Sequence, residues 1–128
     1  MIILKCAKCG KMVFVEKKSG CPTMCCGDAM EELVPGSVDA AQEKHVPVLA
    51  ARGNRVQVTV GSVEHPMLDE HYIQFIILET SCGYQLRRLN PGEAPKAEFL
   101  LAEGESALAA YEYCNLHGLW KAELKQPE

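Results

Sequence analysis

The chain has 128 residues, of which 48% are hydrophobic and 6% aromatic, and its formal net charge is −4. This length fits one medium domain, or one small and one medium domain. The negative charge argues against general nucleic-acid binding, which needs a basic surface. No apolar run approaches a membrane span, and the apolar start 1–4 is too short for a signal peptide, so we expect a cytoplasmic protein without a membrane partner.

The first 36 residues predict a small domain that an apolar core alone would not hold together. Domains this short usually depend on a metal ion, disulfides or a partner chain. Within this stretch Met12–Glu16 has the pattern of a strand, Gly20 and Pro22 indicate a turn, and 34–36 reads Val-Pro-Gly, typical of a linker. We therefore expect one domain at 1–36 and a second at 37–128.

The second domain carries the spacing of short β-strands. Arg55–Val60 alternates apolar and polar residues, as a half-buried strand does, while Tyr72–Leu78 is more continuously apolar and predicts a central strand. One helical turn is expected at Ala40–Lys44. Turn signals separate four further candidate strands, which are Tyr84–Leu89, Ala97–Leu101, Leu108–Tyr113 and Leu119–Leu124. Strands at this spacing favour a mainly β protein with an antiparallel sandwich.

Five of the seven cysteines lie in the first 26 residues, namely Cys6, Cys9, Cys21, Cys25 and Cys26. In a cytoplasmic protein, clustered cysteines bind metal more often than they form disulfides. A Cys-x-x-Cys knuckle and an adjacent Cys-Cys pair, each followed by glycine, supply four thiolates for tetrahedral zinc or iron. Cys21 could replace one member of the adjacent pair, but we favour a free thiol there. A purely structural zinc is the alternative to iron.

All four histidines lie later in the chain, at His45, His65, His71 and His117, and the last follows Cys114 by three residues. A Cys-x-x-His spacing places both side chains on one turn, where they can share a metal. The other three histidines flank proline turns or strand ends, which gather at one end of a sandwich. Imidazoles with one thiolate suit zinc, copper or non-haem iron. Two metal sites of different chemistry in so small a chain suggest redox work.

These motifs together resemble the desulfoferrodoxin family, the two-iron form of superoxide reductase. Cys-x-x-Cys-Gly and Cys-Cys-Gly resemble its desulforedoxin-type iron site. Four segments resemble its catalytic motifs: Glu43-Lys-His-Val-Pro47, Gly61-Ser-Val-Glu-His-Pro-Met67, Glu70-His-Tyr72 and Glu112-Tyr-Cys-Asn-Leu-His-Gly118. The resemblance covers nearly the whole chain. It implies a small desulforedoxin-like, metal-bound β domain followed by an immunoglobulin-like antiparallel β-sandwich.

The resemblance also implies the ligands of two irons per chain. The first iron would be held by four thiolates, with zinc as a possible substitute: Cys6, Cys9, Cys25 and Cys26. The second would have four equatorial imidazoles and one axial thiolate: His45, His65, His71, His117 and Cys114. Its sixth position would be open, or taken in the oxidised state by Glu43, with Lys44 beside it attracting an anion. Without the resemblance, Glu43 and Lys44 could equally be ordinary surface residues.

The activity that the resemblance implies is one-electron reduction of superoxide to hydrogen peroxide without production of dioxygen. It further implies a small electron donor such as rubredoxin and a homodimer. Two other classes of protein remain open from the residues alone. A blue-copper electron carrier would use two histidines, one cysteine and usually a methionine, but no methionine follows Met67 and two histidines are left over. The other alternative is a non-enzymatic module stabilised by zinc.

Overall fold

The computed structural model describes residues 1–124, which form two compact units. The first unit is Met1–Val34 and the second is Pro35–Glu128, so the predicted end of the second domain at residue 128 lies outside the described residues. In residues 1–124, no helix is long and apolar enough to cross a membrane.

The first unit consists of short strands and turns. Its strands are β1 (Ile2–Lys5), β2 (Met12–Val15), β3 (Met24–Cys25), β4 (Asp28–Ala29) and β5 (Glu31–Glu32). The central strand β1 pairs antiparallel with β2 and β5, while β3 and β4 form a separate hairpin. The predicted strand at Met12–Glu16 is present as β2. In the part of this unit that is described, only Ile3 and Cys6 are buried, so apolar burial contributes little to its stability.

The second unit is a sandwich of two antiparallel sheets. Its elements are α1 (Gln42–His45), β6 (Pro47–Arg52), β7 (Arg55–Val60), β8 (Ile73–Thr80), β9 (Gly83–Arg88), β10 (Lys96–Leu100), β11 (Ala107–Cys114) and β12 (Gly118–Glu123). One sheet has the order β10-β7-β6 and the other β12-β11-β8-β9. Seven strands in sheets of three and four form the immunoglobulin-like sandwich, which confirms the predicted fold class.

The core lies between the inner faces of the two sheets. Strand β7 alternates as predicted, so Val56, Val58 and Val60 are fully buried and their neighbours point outward. They pack with Phe99 of β10 and with residues of β8 and β11 in one apolar cluster. The more continuously apolar strand β8 is indeed central, because β11 and β9 cover its two edges.

A β-bulge in β8 adjusts the end of the sandwich that carries the histidines. Tyr113 pairs with Phe75, but the next residue, Cys114, pairs with Ile73, so Gln74 is an extra residue. Because side chains in a regular strand alternate, Ile73 and Ile76 could not both face the same side without it. Both are completely buried in the core cluster. The bulge thus keeps the start of β8 packed beside the end of β11.

In the second unit, two elements differ from the sequence-based prediction. The helical turn expected at Ala40–Lys44 lies at Gln42–His45, so it ends on a histidine. Strand β6 was not predicted. It lies at the edge of its sheet, and its residues after Pro47 are half-buried or exposed, so the sequence shows no alternation between apolar and polar residues.

Gly61 allows two backbone segments to approach closely beside the helical turn. Its φ of +80° is in the left-handed region, and a Cβ atom there would lie 2.5 Å from the Val63 carbonyl oxygen and 2.7 Å from that of Glu43. The Gly61 N–H donates to Val46, and the Val63 N–H donates to the Glu43 carbonyl oxygen. This glycine therefore fixes the position of the turn that carries Glu43 and Lys44.

We expect Gly61→Ala to lower the free energy of unfolding more than Gly104→Ala does. Gly104 has a similar φ of +82° but open space around its Cβ position, so it reports the backbone strain alone. That strain costs about 1–2 kcal/mol, and the clash at Gly61 adds about 1–3 kcal/mol. Denaturant unfolding of both variants measures the difference, and equal losses would show that the close approach has no energetic weight.

Candidate metal centres

The first candidate centre is built from two loops of the first unit. The loop after β1 carries Cys6 and Cys9, and the β3–β4 hairpin carries Cys25 and Cys26. Lys8 connects the two loops, since its ammonium donates to the Cys26 carbonyl oxygen at 3.3 Å and pairs with Asp28 at 2.9 Å. The sulfur atoms of these four cysteines all lie within 4.8 Å of one another.

Adjacent cysteines reach the same centre because the hairpin turn has an unusual backbone. Cys25 pairs with Asp28, so the loop of the hairpin is only Cys26 and Gly27. Their φ angles are 52° and 81°. Two positive φ angles define a type I′ turn, in which asparagine usually takes the first position. Cys26 adopts this conformation at a cost of about 1–3 kcal/mol, a strain that is typical of functional sites.

The sulfur geometry fits a tetrahedral metal. The Cys9 and Cys25 sulfurs are 3.6 Å apart and the Cys25 and Cys26 sulfurs are 4.0 Å apart. Both distances are far longer than a disulfide bond, and all seven cysteines are free. Metal–sulfur bonds of about 2.3 Å give tetrahedral sulfur–sulfur edges of roughly 3.8 Å. The four thiols therefore suit zinc or iron.

Without a metal, the thiols of Cys6 and Cys25 ionise at very different pH. A hydrogen bond from the backbone N–H of Cys9 lowers the pKa of Cys6 to about 6. Hydrogen bonding to the thiols of Cys9 and Cys6 raises the pKa of Cys25 to about 12. Four thiolates this close together would repel one another unless a cation lay between them. Cys21 lies outside this cluster and is exposed.

The second candidate centre lies at one end of the sandwich. His45 ends α1, His65 lies in the loop after β7, His71 comes shortly before β8, and Cys114 ends β11 with His117 in the turn that follows. One ligand atom from each of these five residues lies within 4.8 Å of the others. The structure thus brings together the whole set that the motifs single out.

The four imidazole rings form a closed circuit. Their centroids are 4.7 Å apart for His45 and His65, 4.7 Å for His65 and His71, 5.0 Å for His71 and His117, and 4.8 Å for His117 and His45. Neighbouring rings are nearly perpendicular, with interplanar angles of 77–87°. Rings that are perpendicular to their neighbours can each turn one edge toward a common point. Four edges around one point match the equatorial plane of a metal.

Backbone carbonyl groups decide which ring nitrogens face inward. His45 Nδ1 lies 2.7 Å from the Ala41 carbonyl oxygen, and His65 Nδ1 lies 2.6 Å from that of Pro66. A carbonyl oxygen only accepts, so both Nδ1 atoms carry the proton. The Nε2 atoms of both rings then have lone pairs, yet they face each other at 3.2 Å.

The lone pairs at the centre point to a cation. His45 Nε2 also lies 3.1 Å from His117 Nδ1, and the buried Nε2 of His71 has no hydrogen-bond partner among the described residues. Converging acceptors repel one another unless a Lewis acid lies between them. The donor set of four nitrogens and one sulfur fits iron, with His117 turned to offer Nδ1 and the other three Nε2.

Burial favours the neutral form of three of the imidazoles. It lowers the pKa of His65 to about 4, and it is also the main cause that lowers the pKa of His45. The pKa of His71 is lowered too, by burial first and then by His117, with the charge of Lys44 acting in the same direction. Neutral imidazole is the form that binds metals, so the site is ready for a metal at neutral pH.

Cys114 is completely buried, and its sulfur lies 3.9 Å from His117 Nδ1. Burial raises the pKa of its thiol, while the backbone N–H groups of Leu116 and His117 act in the opposite direction by donating to the sulfur. These two N–H groups come from the turn after β11, so the Cys-x-x-His spacing itself supplies them. They favour the thiolate, which is the form of cysteine that would bind a metal.

Glu43 and Lys44 are exposed on α1 and lie outside the five-residue cluster. The backbone of Glu43 is fixed, because its carbonyl oxygen accepts hydrogen bonds from the Val63 N–H at 2.9 Å and the Ser62 hydroxyl at 3.4 Å. The backbone of the turn before His45 is therefore anchored, while the side chains of Glu43 and Lys44 are exposed to solvent.

Sequence reasoning missed two buried residues around this centre. Trp120 stacks on His45, with ring centroids 5.0 Å apart. Glu112 is completely buried, neither carboxyl oxygen has a hydrogen-bond partner among the described residues, and burial raises its pKa to about 9. It therefore carries a proton at neutral pH. Glu112 belongs to a recognisable motif, but nothing in the sequence indicates burial of the only tryptophan against a histidine.

The alternative of a blue-copper site does not match this geometry. All four histidines take part in the circuit, where such a site uses two. The sulfur of Met67 accepts a hydrogen bond from the Ile73 N–H at 3.4 Å, and its side chain packs against the core cluster. Met67, the last methionine of the chain, is therefore part of the core packing.

Comparison with known proteins shows the family of this chain. Residues 37–123 match the family model described as Desulfoferrodoxin. A protein named desulfoferrodoxin from Nitratidesulfovibrio vulgaris is 46% identical over 121 residues, which cover 94% of each chain. The fold and the two clusters together define a β protein with two candidate metal centres, one of four cysteines and one of four histidines with Cys114. The chain belongs to the desulfoferrodoxin family.

Solved structures agree with this assignment. The superoxide reductase from Treponema pallidum aligns with a TM-score of 0.79 and 39% identity, covering 93% of this chain and 98% of that one. A superoxide reductase described as 1Fe-SOR from Giardia intestinalis aligns with a TM-score of 0.57 and 35% identity, covering 66% of this chain and 99% of that one.

We expect Cys9→Ser to remove the metal of the first centre, whereas Cys21→Ser should keep it. Cys9 contributes a sulfur 3.6 Å from that of Cys25, but Cys21 lies outside the cluster. Metal analysis of the full chain should fall from two ions to one only for Cys9→Ser. Loss of a metal from Cys21→Ser would show that the cluster has been assigned the wrong fourth thiolate.

Proposed function

We propose that the chain is a superoxide reductase, which reduces superoxide by one electron to hydrogen peroxide without producing dioxygen. The observation that carries this proposal is the closed circuit of four imidazoles beside the buried Cys114. Bound iron would supply the chemistry by changing between its ferrous and ferric states. The family membership and the superoxide reductases among the structural relatives support the same activity.

The ligand set determines the charge that a superoxide anion meets. Four neutral imidazoles add no charge and the Cys114 thiolate adds one negative charge, so a divalent metal would keep a net charge of +1. The chain as a whole has a net charge of −4. A local positive charge is needed to attract an anion against that background. Histidine ligands would preserve this positive charge, because a neutral imidazole adds no negative charge and a thiolate does.

Lys44 and Glu43 are the catalytic residues in this proposal. The Lys44 ammonium is near enough to contribute to the lowered pKa of His71, so its charge acts at the centre and favours the approach of an anion. Glu43 offers a carboxylate at the solvent side of His45, where it could act as a sixth ligand in the oxidised state. The lysine would attract the substrate and the glutamate would replace the product.

The thiolate of Cys114 adds a second contribution. Its negative charge supplies electron density to the metal, as thiolates do in haem enzymes. The N–H groups of Leu116 and His117 withdraw part of that density by donating to the sulfur. Their hydrogen bonds therefore moderate how strongly the sulfur donates. Peroxide release requires an intact O–O bond, so a moderated thiolate suits this reaction better than a fully donating one.

We assign the first unit as a desulforedoxin-like iron domain, predicted at 1–36, and the second as the catalytic domain, predicted at 37–128. Four cysteines around one metal leave no open position, so Cys6, Cys9, Cys25 and Cys26 would serve electron transfer or stability. Zinc would also satisfy them. The catalytic centre would bind its iron with His45, His65, His71, His117 and Cys114.

The remaining proposals concern the surroundings of the protein. We take the electron donor to be a small redox protein such as rubredoxin, which the family resemblance implies. A homodimer would help to stabilise the first unit, where Ile3 and Cys6 are the buried residues among those described. Seven free cysteines agree with a reducing, cytoplasmic location.

We expect Cys114→Ser to abolish superoxide reduction and to remove the thiolate-to-iron absorption of the second centre. Serine removes the sulfur that lies in one cluster with the four imidazoles but leaves the rings in place. Cys82→Ser is the matched control, since Cys82 is exposed and lies outside both clusters. Stopped-flow or pulse-radiolysis rates with visible spectra test this. Normal turnover by Cys114→Ser would contradict the proposed centre.

We expect Lys44→Ala to slow the encounter with superoxide severalfold and to weaken its dependence on salt. This is a fraction of the roughly 10- to 1,000-fold acceleration that the whole field of a protein can give. Arg52→Ala is the control, because it removes the same charge at the far end of β6, roughly 17 Å along the strand from Pro47. That exceeds the screening length of about 8 Å.

Glu43→Ala should act differently from Lys44→Ala. It removes a negative charge, so the encounter should not slow, while the spectrum of the oxidised centre should respond to pH in a new way. Pulse-radiolysis rates at several salt concentrations compare all three variants. Identical rates and salt slopes for the wild type and Lys44→Ala would leave Lys44 as a solvated surface residue.

A further inference from the structure

Trp120 contacts two histidines that are far apart in sequence but close in space. It is the only tryptophan of the chain, and its side chain is 4% exposed. It lies in β12, opposite Glu112 of β11. His45 and His117 are 72 residues apart in sequence, yet their ring nitrogens approach to 3.1 Å. A side chain that touches both can fix the separation of two ligand atoms.

The contact with His45 is a stacked one. The two ring systems are 26° from parallel, with centroids 5.0 Å apart, whereas the neighbouring imidazoles meet His45 edge-on. The Nδ1 atom of His45 is also held by the Ala41 carbonyl oxygen at 2.7 Å. A ring held at one nitrogen and on one face cannot rotate about its Cβ–Cγ bond. Its Nε2 atom is thereby directed at the centre of the circuit.

The contact with His117 is a hydrogen bond to its backbone. The indole Nε1–H donates to the His117 carbonyl oxygen at 3.0 Å. His117 belongs to the same turn that donates backbone N–H groups to the Cys114 sulfur. Fixing one carbonyl group in so short a turn constrains its neighbouring N–H groups as well. Trp120 therefore also acts on the thiolate ligand.

We propose that Trp120 is a positioning residue that fixes His45 against the Cys114–His117 turn and so sets the geometry of the second metal centre. The inference rests on the proposed function only for the identity of the metal. Partners of this kind, one step behind the ligands, typically account for a 10- to 100-fold difference in metal affinity. The indole supplies both an aromatic face for His45 and an N–H donor for the His117 carbonyl oxygen.

The test compares Trp120→Leu and Trp120→Phe with Phe99→Leu in the full-length protein loaded with iron. Phenylalanine keeps an aromatic face but loses the donor, and leucine loses both. Phe99 is completely buried in the core cluster, on strand β10 of the opposite sheet, so Phe99→Leu removes a similar aromatic side chain without touching the histidines. Iron release to a ferrous chelator and the position of the ferric thiolate absorption band are measured for each variant.

We expect the dissociation constant of the second iron to rise about 10- to 100-fold for Trp120→Leu, and by less for Trp120→Phe. The absorption band should shift in the same order. Phe99→Leu should lower thermal stability but leave both readouts at wild-type values, and release from the four-cysteine centre serves as an internal reference. Wild-type readouts for Trp120→Leu, or equal changes for Phe99→Leu, would overturn the proposal.

The two measurements also separate this inference from the proposed activity. If Trp120→Leu does not fold, the comparison of Trp120→Phe with Phe99→Leu decides the question by the same criteria. If iron affinity changes as expected but the wild type does not reduce superoxide, the proposed function fails and the positioning role stands. If the wild type reduces superoxide and the Trp120 variants retain wild-type affinity and spectra, the reverse holds.

Discussion

The second centre depends on the orientation that two backbone carbonyl groups impose on two imidazole rings. Ala41 and Pro66 each accept a hydrogen bond from an Nδ1–H, so the unprotonated Nε2 atoms of His45 and His65 must face each other. Buried acceptors without donors destabilise a protein unless a cation satisfies them. The fold therefore holds a costly arrangement of lone pairs, which is the arrangement that a metal ion stabilises.

The sandwich supplies the rigidity for that arrangement. The bulge at Gln74 keeps Ile73 in the core, and Ile73 pairs with Cys114 in the adjacent strand. On the opposite sheet, Gly61 permits the close approach that fixes the backbone of Glu43. Each ligand-bearing loop is thus held at a point where a strand ends. Loops on a packed scaffold can keep ligand atoms within narrow limits, which regular metal geometry requires.

The sequence predicts the central parts of this fold better than its edges. The alternation of Arg55–Val60 and the apolar run before Thr80 reflect burial between two sheets, and both were predicted as strands. Strand β6 was missed because an edge strand that faces solvent needs no apolar periodicity. Strand β1 is only four residues long, which is too short for a periodic pattern to predict it.

The same distinction applies to the sites. Spacing and composition single out the cysteines and histidines, because ligand atoms must come from particular residue types. They do not reveal that Cys26 has a positive φ, which lets adjacent cysteines share one centre. They also do not reveal the hydrogen bonds that select Nδ1 or Nε2, since backbone carbonyl groups have no sequence signature. The role of Trp120 depends on pairing between β11 and β12 and so appears only in three dimensions.

The two centres differ in a way that follows from ligand charge alone. Four thiolates give a divalent metal a net charge of −2, and a closed tetrahedron leaves no position for a further ligand. Four neutral imidazoles and one thiolate would leave a divalent metal with a net charge of +1 and with room for a further ligand. An oxyanion would be repelled by the first centre and attracted by the second. The choice of cysteine or histidine as ligand would therefore give the two centres opposite net charges, even if both held the same divalent metal.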